Sequence, residues 1–540
     1  MFEALFGYPL AAVIFFLCIL LPIAFAVVLR RFEDRPQLHE NRVMVRAFII
    51  FFAVNLAACF GLALATDGGS WSHMMHVNAE LGGSTQFEEF FKSVNVSTLD
   101  SFSSVEAKYP PMAILMYKLV GQFFPMLYYT FNDGKSYSVI LKNRVCMMIY
   151  FIIVVAVCFI SYGLGRRTLH KNGLKKENEL LALLLLLSFP AIFCTELGSV
   201  TGLSFVLTFI FMFARDSRSK LFRVAADLCL AFAGMLSLYP AVFALLFVVE
   251  GADRHPGAFA PKRLVTAIPT TFARLKNKIS AVFSRGSGSG GAARRAYGLL
   301  DEPAMRFICI AVLTVLGLVL PAIYTGFGGL GRFLAGLLWI PSGGFTYYNA
   351  SAAHLLAVLG VQSSGLQFTA FIITELLAAA ALVLVKKPWI RLMAAAYMAV
   401  NLPGHIYSDS WIFMLLPLYA LLSDPGPKGK RDWWSLLLTG LLVTPLPEWY
   451  YFGRDRLQRI FNAAELQYVF GTNHLACLVT VQAMLVLLVV CGVLNARSEL
   501  RPGSDDKKET ARKPSRRRSI IAAAGAAARE VLHGEGKTDA

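Results

Sequence analysis

Apolar runs long enough to cross a bilayer, separated by short loops rich in arginine and lysine, constrain this chain more than any other feature. Leu10 to Leu29 is continuous and apolar, and about 20 such residues span the hydrocarbon core. No small-residue cleavage site follows, so the run is predicted to be a retained helix rather than a leader. Arg30, Arg31, Arg35, Arg42 and Arg46 come next. They place this loop in the cytoplasm and the N-terminus outside. A second span, about Ala47 to Ala65, returns to the outer face. Composition agrees: 56% of the 540 residues are hydrophobic and 16% are charged, which excludes a soluble globular surface. The net charge of +17 could suggest nucleic acid, but the basic residues cluster in short loops, as the positive-inside rule requires.

The segment from Tyr109 to Phe131 is apolar but carries Lys118, Gln122 and Pro125. Were it a span, the helix Val145 to Gly163 would run outward and leave Arg166, Arg167, His170, Lys171, Lys175 and Lys176 outside. Met112 to Tyr129 is therefore predicted to lie in the outer interface. Spans at about Leu180 to Thr195 and Ser199 to Phe213 follow, joined by Glu196-Leu197-Gly198. Val224 to Val249 is one long apolar stretch with basic flanks on both sides. Two half-helices broken at Ser237-Leu238-Tyr239-Pro240 would keep both ends inside, since proline interrupts the helical bond ladder. Further spans are predicted at about Phe307 to Tyr324, Thr369 to Val385, Leu392 to Pro403, Trp411 to Leu422, Trp434 to Thr444 and Leu475 to Leu494.

The expected architecture is an all-α polytopic membrane protein of about 11–13 transmembrane helices, with one broken pair and an external loop carrying interfacial helices. Residues 1–46 form an extra helix and basic loop. A catalytic transmembrane module covers 47–250 with its outer loop at 67–143, and a flexible cytoplasmic loop covers 251–305. A C-terminal transmembrane module covers 306–496, and 497–540 is a disordered basic cytoplasmic tail. Nine cysteines lie mostly in apolar runs without CxxC spacing, so neither a disulfide framework nor a thiolate metal site is expected.

Polar residues collect in four outer pieces: Asp67 to Asn143, Gly326 to Leu366, His405 to Ser410, and Glu448 to Asn473. Asp67 stands where a hydrophobic helix leaves the bilayer, a boundary at which a carboxylate can be desolvated enough to act as a base. Read alone, Asp67-Gly68 is also an ordinary helix stop. His405 follows Pro403-Gly404 and could share acid/base work or bond a phosphate; a satisfied loop histidine is the alternative. Cations that could meet an anionic ligand are Arg332, Arg144, Arg454, Arg456, Arg459 and Lys118, each of which could instead snorkel to headgroups. His73 and His76 are one helical turn apart but lack a close acidic partner, and no metal or other cofactor is called for.

An aspartate after an outward span, followed by Tyr109-Pro110-Pro111 at the head of an interfacial helix, resembles the integral-membrane C-superfamily glycosyltransferases. Within them the chain is most similar to family 87, the polyprenyl-phosphate-mannose-dependent mannosyltransferase-like group. Further matches follow in order over about Leu56 to Leu422. Glu196 to Leu203 stands at the family's Gly-Gln turn and Leu238-Tyr239-Pro240 at its Lys-Pro break. Tyr348-Asn349-Ala350-Ser351 stands at its Asn-Gln-Ser element, and Leu402 to His405 with Ser410-Trp411 at its Pro/Ser-Trp/His element. Ser199, Leu238 and Ala350 depart from the pattern, and Asp409 is new beside His405.

The resemblance implies an inverting transfer of a hexose, mannose by default, from a polyprenyl-phosphate-sugar donor to a lipid-linked or cell-envelope glycan. The reaction would occur at the extracytoplasmic face of a bacterial plasma (cell) membrane, with membrane lipids as surroundings. Asp67 would be the base, with His405 beside it, and Tyr109, Lys118, Arg144, Tyr239, Arg332, Asn349 and Asp409 would bind donor or acceptor. A transporter or flippase for a lipid-linked saccharide is the alternative. The lack of an internal repeat and the concentration of polar residues on one face favour the enzyme.

Overall fold

The computed structural model describes residues 36–75, 109–122, 144–253, 271–280, 301–338, 351–359, 363–402, 408–447 and 472–500, with single positions 23, 24, 27, 90, 269 and 361. Among these every regular element is helical. In chain order they are α1 (Asn41–Ala65), α2 (Gly69–Met75), α3 (Pro111–Gln122), α4 (Arg144–Leu169), α5 (Lys175–Leu186), α6 (Phe189–Leu197), α7 (Thr201–Ala214), α8 (Lys220–Ser237) and α9 (Leu245–Asp253). Then come α10 (Pro303–Thr325), α11 (Phe327–Leu338), α12 (Ala352–Val358), α13 (Ser364–Leu384), α14 (Pro388–Val400), α15 (Leu415–Ser423), α16 (Lys430–Val443) and α17 (Thr472–Leu500). Among the described residues, six segments have the length and hydropathy to cross a membrane: α1, α4, α5 with α6, α10, α13 and α17. The protein is thus a multi-pass, all-α membrane protein. Positions 23, 24 and 27 of the expected extra N-terminal span are helical, and α17 continues to Leu500 where a disordered tail was expected from residue 497; the rest of both segments lies outside the described residues.

Ion pairs mark one face of the bundle. Arg46 meets Glu177 at 2.9 Å, Arg166 meets Glu179 at 2.8 Å, Arg215 meets Glu250 at 3.1 Å and Lys387 meets Asp432 at 3.0 Å. These residues belong to the start of α1, the end of α4, the start of α5, the end of α7, α9, the position just before α14 and the start of α16. The crossings therefore alternate with their basic ends together, as the loop charges predict.

The broken pair forms a hairpin. α8 and α10 run side by side in one direction, because Arg306 pairs with Asp227 at 2.7 Å and Gly317 lies against Met235 further along. Past α8 the chain takes Leu238 at φ 57 and enters a 3-10 segment, Tyr239–Ala244, before α9. Phe247 of α9 then lies under the same Arg306 guanidinium, 4.1 Å from its ring centre. The chain has come back to the depth of Asp227, so it turns over at Leu238 rather than crossing. Pro240 lacks the N–H that a continuing helix needs, and a left-handed leucine ends the α8 ladder.

A second hairpin follows the same plan. Leu392 to Pro403 and Trp411 to Leu422 were expected as spans, but α14 has 13 residues, about 20 Å of helix against a core about 30 Å thick. It rises from Lys387 beside Asp432, and the chain returns through a 3-10 segment, Ser408–Met414, and α15 to the basic face. There the Lys428 ammonium, 1% exposed, donates to the carbonyl oxygens of Leu421 and Asp424. Aromatic rings lock the hairpins together: Phe413 meets Tyr239 at 5.4 Å, Phe205 at 6.0 Å and Phe243 at 6.1 Å between ring centres. The buried run Ala394-Ala395-Ala396 lets α14 approach its neighbours closely.

Candidate functional site

The hairpin tips meet against the turn between α6 and α7. Gly198 closes α6 at φ 77, a left-handed cap that glycine takes without strain, and this turns Ser199 toward the second hairpin. The Ser199 hydroxyl donates to Asp409 Oδ2. Ser199 and Thr201 Oγ atoms are 2.8 Å apart, and Thr201 Oγ1 is 2.7 Å from the Tyr239 hydroxyl. A carboxylate only accepts, so the three hydroxyls can all point their protons toward Asp409 in one cooperative chain. Ser204 and Ser237 add a second buried hydroxyl pair at 2.7 Å.

This polar floor is recessed. α7 has 14 residues between Thr201 and the basic face, about 21 Å of helix. α10 has 23, about 34 Å. The floor therefore stands roughly 10 Å below the far ends of the long helices. Irregular backbone and buried hydroxyls at such depth are tolerated where they line a cavity or protein rather than lipid.

The rim is built from the segment after α1. Thr66 donates to the Leu62 carbonyl at 2.8 Å and Gly68 N–H to Ala63 O at 2.8 Å, which satisfies the last carbonyls of α1. Asp67 is exposed there with φ 48, on the face opposite the ion pairs. One turn on, the Trp71 indole lies beside Glu196 at the end of α6 and stacks on Phe60 at 5.6 Å. The α3 head adds Tyr109, whose ring lies 5.5 Å from that of Tyr117. Phe90 in turn lies 6.1 Å from Tyr117 and 5.1 Å from Tyr150. The Tyr150 hydroxyl donates to the Thr195 carbonyl, tying α4 to the floor.

Between α3 and α10 runs an open apolar groove of about 570 Å³, walled by Met112, Leu115, Leu313, Leu316 and Leu320. At its mouth the Lys118 ammonium sits 5.0 Å from the centre of the Tyr324 ring. Met235 lines the groove while Ser237, two residues on, belongs to the floor. The last turn of α8 therefore contributes one residue to the groove and another to the floor.

Of the residues expected to act, Tyr239 and Asp409 are brought together through Thr201 and Ser199. Asp67, Tyr109 and Lys118 stand on the same face. Arg332 is exposed on α11, next to Phe333, which packs with Leu238 at the first tip. His405, Asn349, Arg454, Arg456, Arg459 and His76, with the side chains of Arg144 and His73, lie outside the described residues. Among the described residues no three His, Cys, Asp or Glu side chains gather as a metal-holding group. Sequence reasoning treated Ser199 only as a departure from a family pattern and missed Thr201, Ser204 and Ser237. It also passed over Glu375, although an acid inside an apolar span is a signal in itself.

α12 lies beside the second tip, where the Ala352 N–H donates to Asn401 Oδ1 at 2.9 Å and the His354 N–H donates to Ser351 Oγ at 3.2 Å. Burial pushes the His354 imidazole down to about 4. An unfolded histidine titrates near 6.5, so this group's stabilisation is complete above that pH and is lost as pH falls toward 4. Going from pH 7 to pH 5 should cost the wild type about 2 kcal/mol more than His354→Leu. Thermal unfolding at the two pH values measures the difference, and equal losses would contradict it.

Compared with known proteins, the chain matches no family model, no curated protein and no solved structure.

Proposed function

We propose that the protein is a membrane glycosyltransferase that takes a hexose, mannose by default, from a polyprenyl-phosphate donor. The acceptor is a lipid-linked or cell-envelope glycan, and the reaction runs on the extracytoplasmic face of the plasma membrane. One observation carries this reading: an apolar groove with an ammonium among its walls and a recessed floor of hydroxyls and a carboxylate both draw on the last turn of α8. Such a donor has the matching three parts, a long apolar tail, a phosphate and a polyol. The tail lies in the groove, Lys118 offsets charge on the departing phosphate, and the floor hydroxyls and Asp409 receive sugar hydroxyls. The acceptor oxygen attacks the anomeric carbon as the phosphate leaves with the bonding pair. The acceptor proton passes to Asp67.

Hairpins that stop at membrane depth also occur in transporters, where repeats of opposite orientation form a site reachable from alternate sides. Here both hairpins rise from the same basic face, so the recess opens away from it. That arrangement favours the enzyme.

The test is transfer from radiolabelled polyprenyl-phosphate sugars to extracted membrane glycolipids, in membranes with and without the protein. A protein-dependent labelled product is expected. No transfer from any such donor, with saccharide-lipid crossing vesicles that contain the protein, would replace the reading with transport. The groove has its own test at Gly317, where a Cβ would come within 2.2 Å of Met235 Cγ. Gly317→Ala pushes Met235 into the groove, and KM for the lipid donor should rise about tenfold with kcat little changed. An unchanged KM would detach the groove from the donor.

A further inference from the structure

We propose that Asn401 is the positioning residue of the recess, holding the second hairpin's tip in register with the floor; the proposal rests on the floor being the working site. Asn401 is fully buried at the end of α14, and its amide reaches two other helices. Nδ2 donates to Thr374 Oγ1 at 3.0 Å and to Glu375 Oε1 at 2.8 Å, both on α13. Oδ1 accepts the Ala352 N–H at the head of α12, at 2.9 Å. Tyr397, one turn earlier and also fully buried, donates to Gln482 of α17 at 3.2 Å. Directional bonds to three helices thus fix the depth and rotation at which the rising arm ends, which apolar packing alone would leave free to slide.

The returning arm depends on that register. Asp409 takes the Ser199 hydroxyl, and Trp411 sets its ring 6.2 Å from that of Phe189 on α6. Because α14 also packs on the Ser408–Met414 segment and on the 3-10 turn of the first hairpin, a slip at Asn401 moves the carboxylate away from its hydroxyl donors. Glu375 supports the same view. It stands in the middle of a span, where an ionisable side chain is costly and a leucine would pack without that cost. Its visible bond is the one to Asn401, so what it contributes is an acceptor for the second amide proton, which would otherwise be buried unsatisfied.

Cys194 reports on the floor without any assumption about activity. It is buried beside Asp409 and Ser199. Cys477 is an internal control, buried where α17 meets the Leu442 carbonyl of α16. The full chain in lipid nanodiscs is treated with a water-soluble maleimide, and modification of each cysteine is followed by mass spectrometry. Asn401→Ala and Glu375→Leu should speed labelling of Cys194 about fivefold while Cys477 stays protected, as local opening predicts. Glu375→Gln keeps a carbonyl acceptor and should label at the wild-type rate. In parallel, Asn401→Ala should lower kcat for transfer about tenfold and leave KM for the lipid donor unchanged, since the groove is untouched.

Wild-type labelling of Cys194 in Asn401→Ala overturns the proposal. So does Cys477 opening in step, which would make Asn401 a general strut, or Glu375→Gln behaving as Glu375→Leu. Faster Cys194 labelling in a protein that transfers no sugar, wild type included, supports the positioning role and sinks the transferase reading alone.

Discussion

Asp67→Asn should reduce sugar transfer by about 10²–10⁴-fold, the usual contribution of a general base. Asparagine has the shape of aspartate but cannot accept the acceptor's proton at neutral pH. It also tolerates the left-handed conformation that residue 67 adopts at φ 48, so the turn closing α1 is retained. The Ser70 N–H bond to Thr66 Oγ1 at 3.0 Å does not involve the changed atoms. Loss of rate with unchanged donor binding would assign the proton to Asp67, measured as kcat with the labelled lipid donor. Transfer equal to wild type would remove Asp67 from the chemistry and leave its exposed position as that of a helix stop. Asp409→Asn still accepts from Ser199 through its carbonyl oxygen, so a smaller effect, expressed in KM, is expected there.

The largest effect on stability is expected at Arg306. Its guanidinium makes two parallel bonds to Asp227, at 2.8 and 2.7 Å, and lies over the Phe247 ring. The side chains of the pair are 9% and 14% exposed. Removing one partner strands a charge in a poorly solvated place, so Arg306→Ala should destabilise the protein by about 3–5 kcal/mol. Replacing both residues, as in Asp227→Leu with Arg306→Met, should recover most of that loss because neither charge then needs a partner. Denaturation in mixed micelles with rising SDS compares the variants. A single variant as stable as the double would show that the pair contributes nothing to holding α8, α9 and α10 together.

The two sites differ in how they could be read beforehand. Asp67 is conspicuous because an acid directly after an apolar run breaks a composition pattern, and Tyr239-Pro240 is conspicuous because proline interrupts a helix wherever it stands. Asp227 and Arg306 are 79 positions apart, and nothing local to either names the other. The floor is harder still. Serine and threonine cost little at almost any helical position, so Ser199, Thr201, Ser204 and Ser237 leave no mark in hydropathy. Their meaning appears only when Asp409, 210 positions from Ser199, arrives beside them.

Chain order and composition by themselves determined that this is a helical membrane protein, that its basic ends share one face, and that the stretch around Pro240 cannot cross as one helix. These follow from local physics: backbone groups in lipid must bond within a helix, charges avoid the core, and proline lacks a donor. The tertiary structure alone decided that α14 and α15 form a second hairpin and that both tips end at one recessed floor. It also decided that α3 and α10 enclose an apolar groove with Lys118 among its walls. An apolar run of 13 residues fits a partner helix as well as it fits lipid, and which of the two it meets depends on packing against segments far away in the chain.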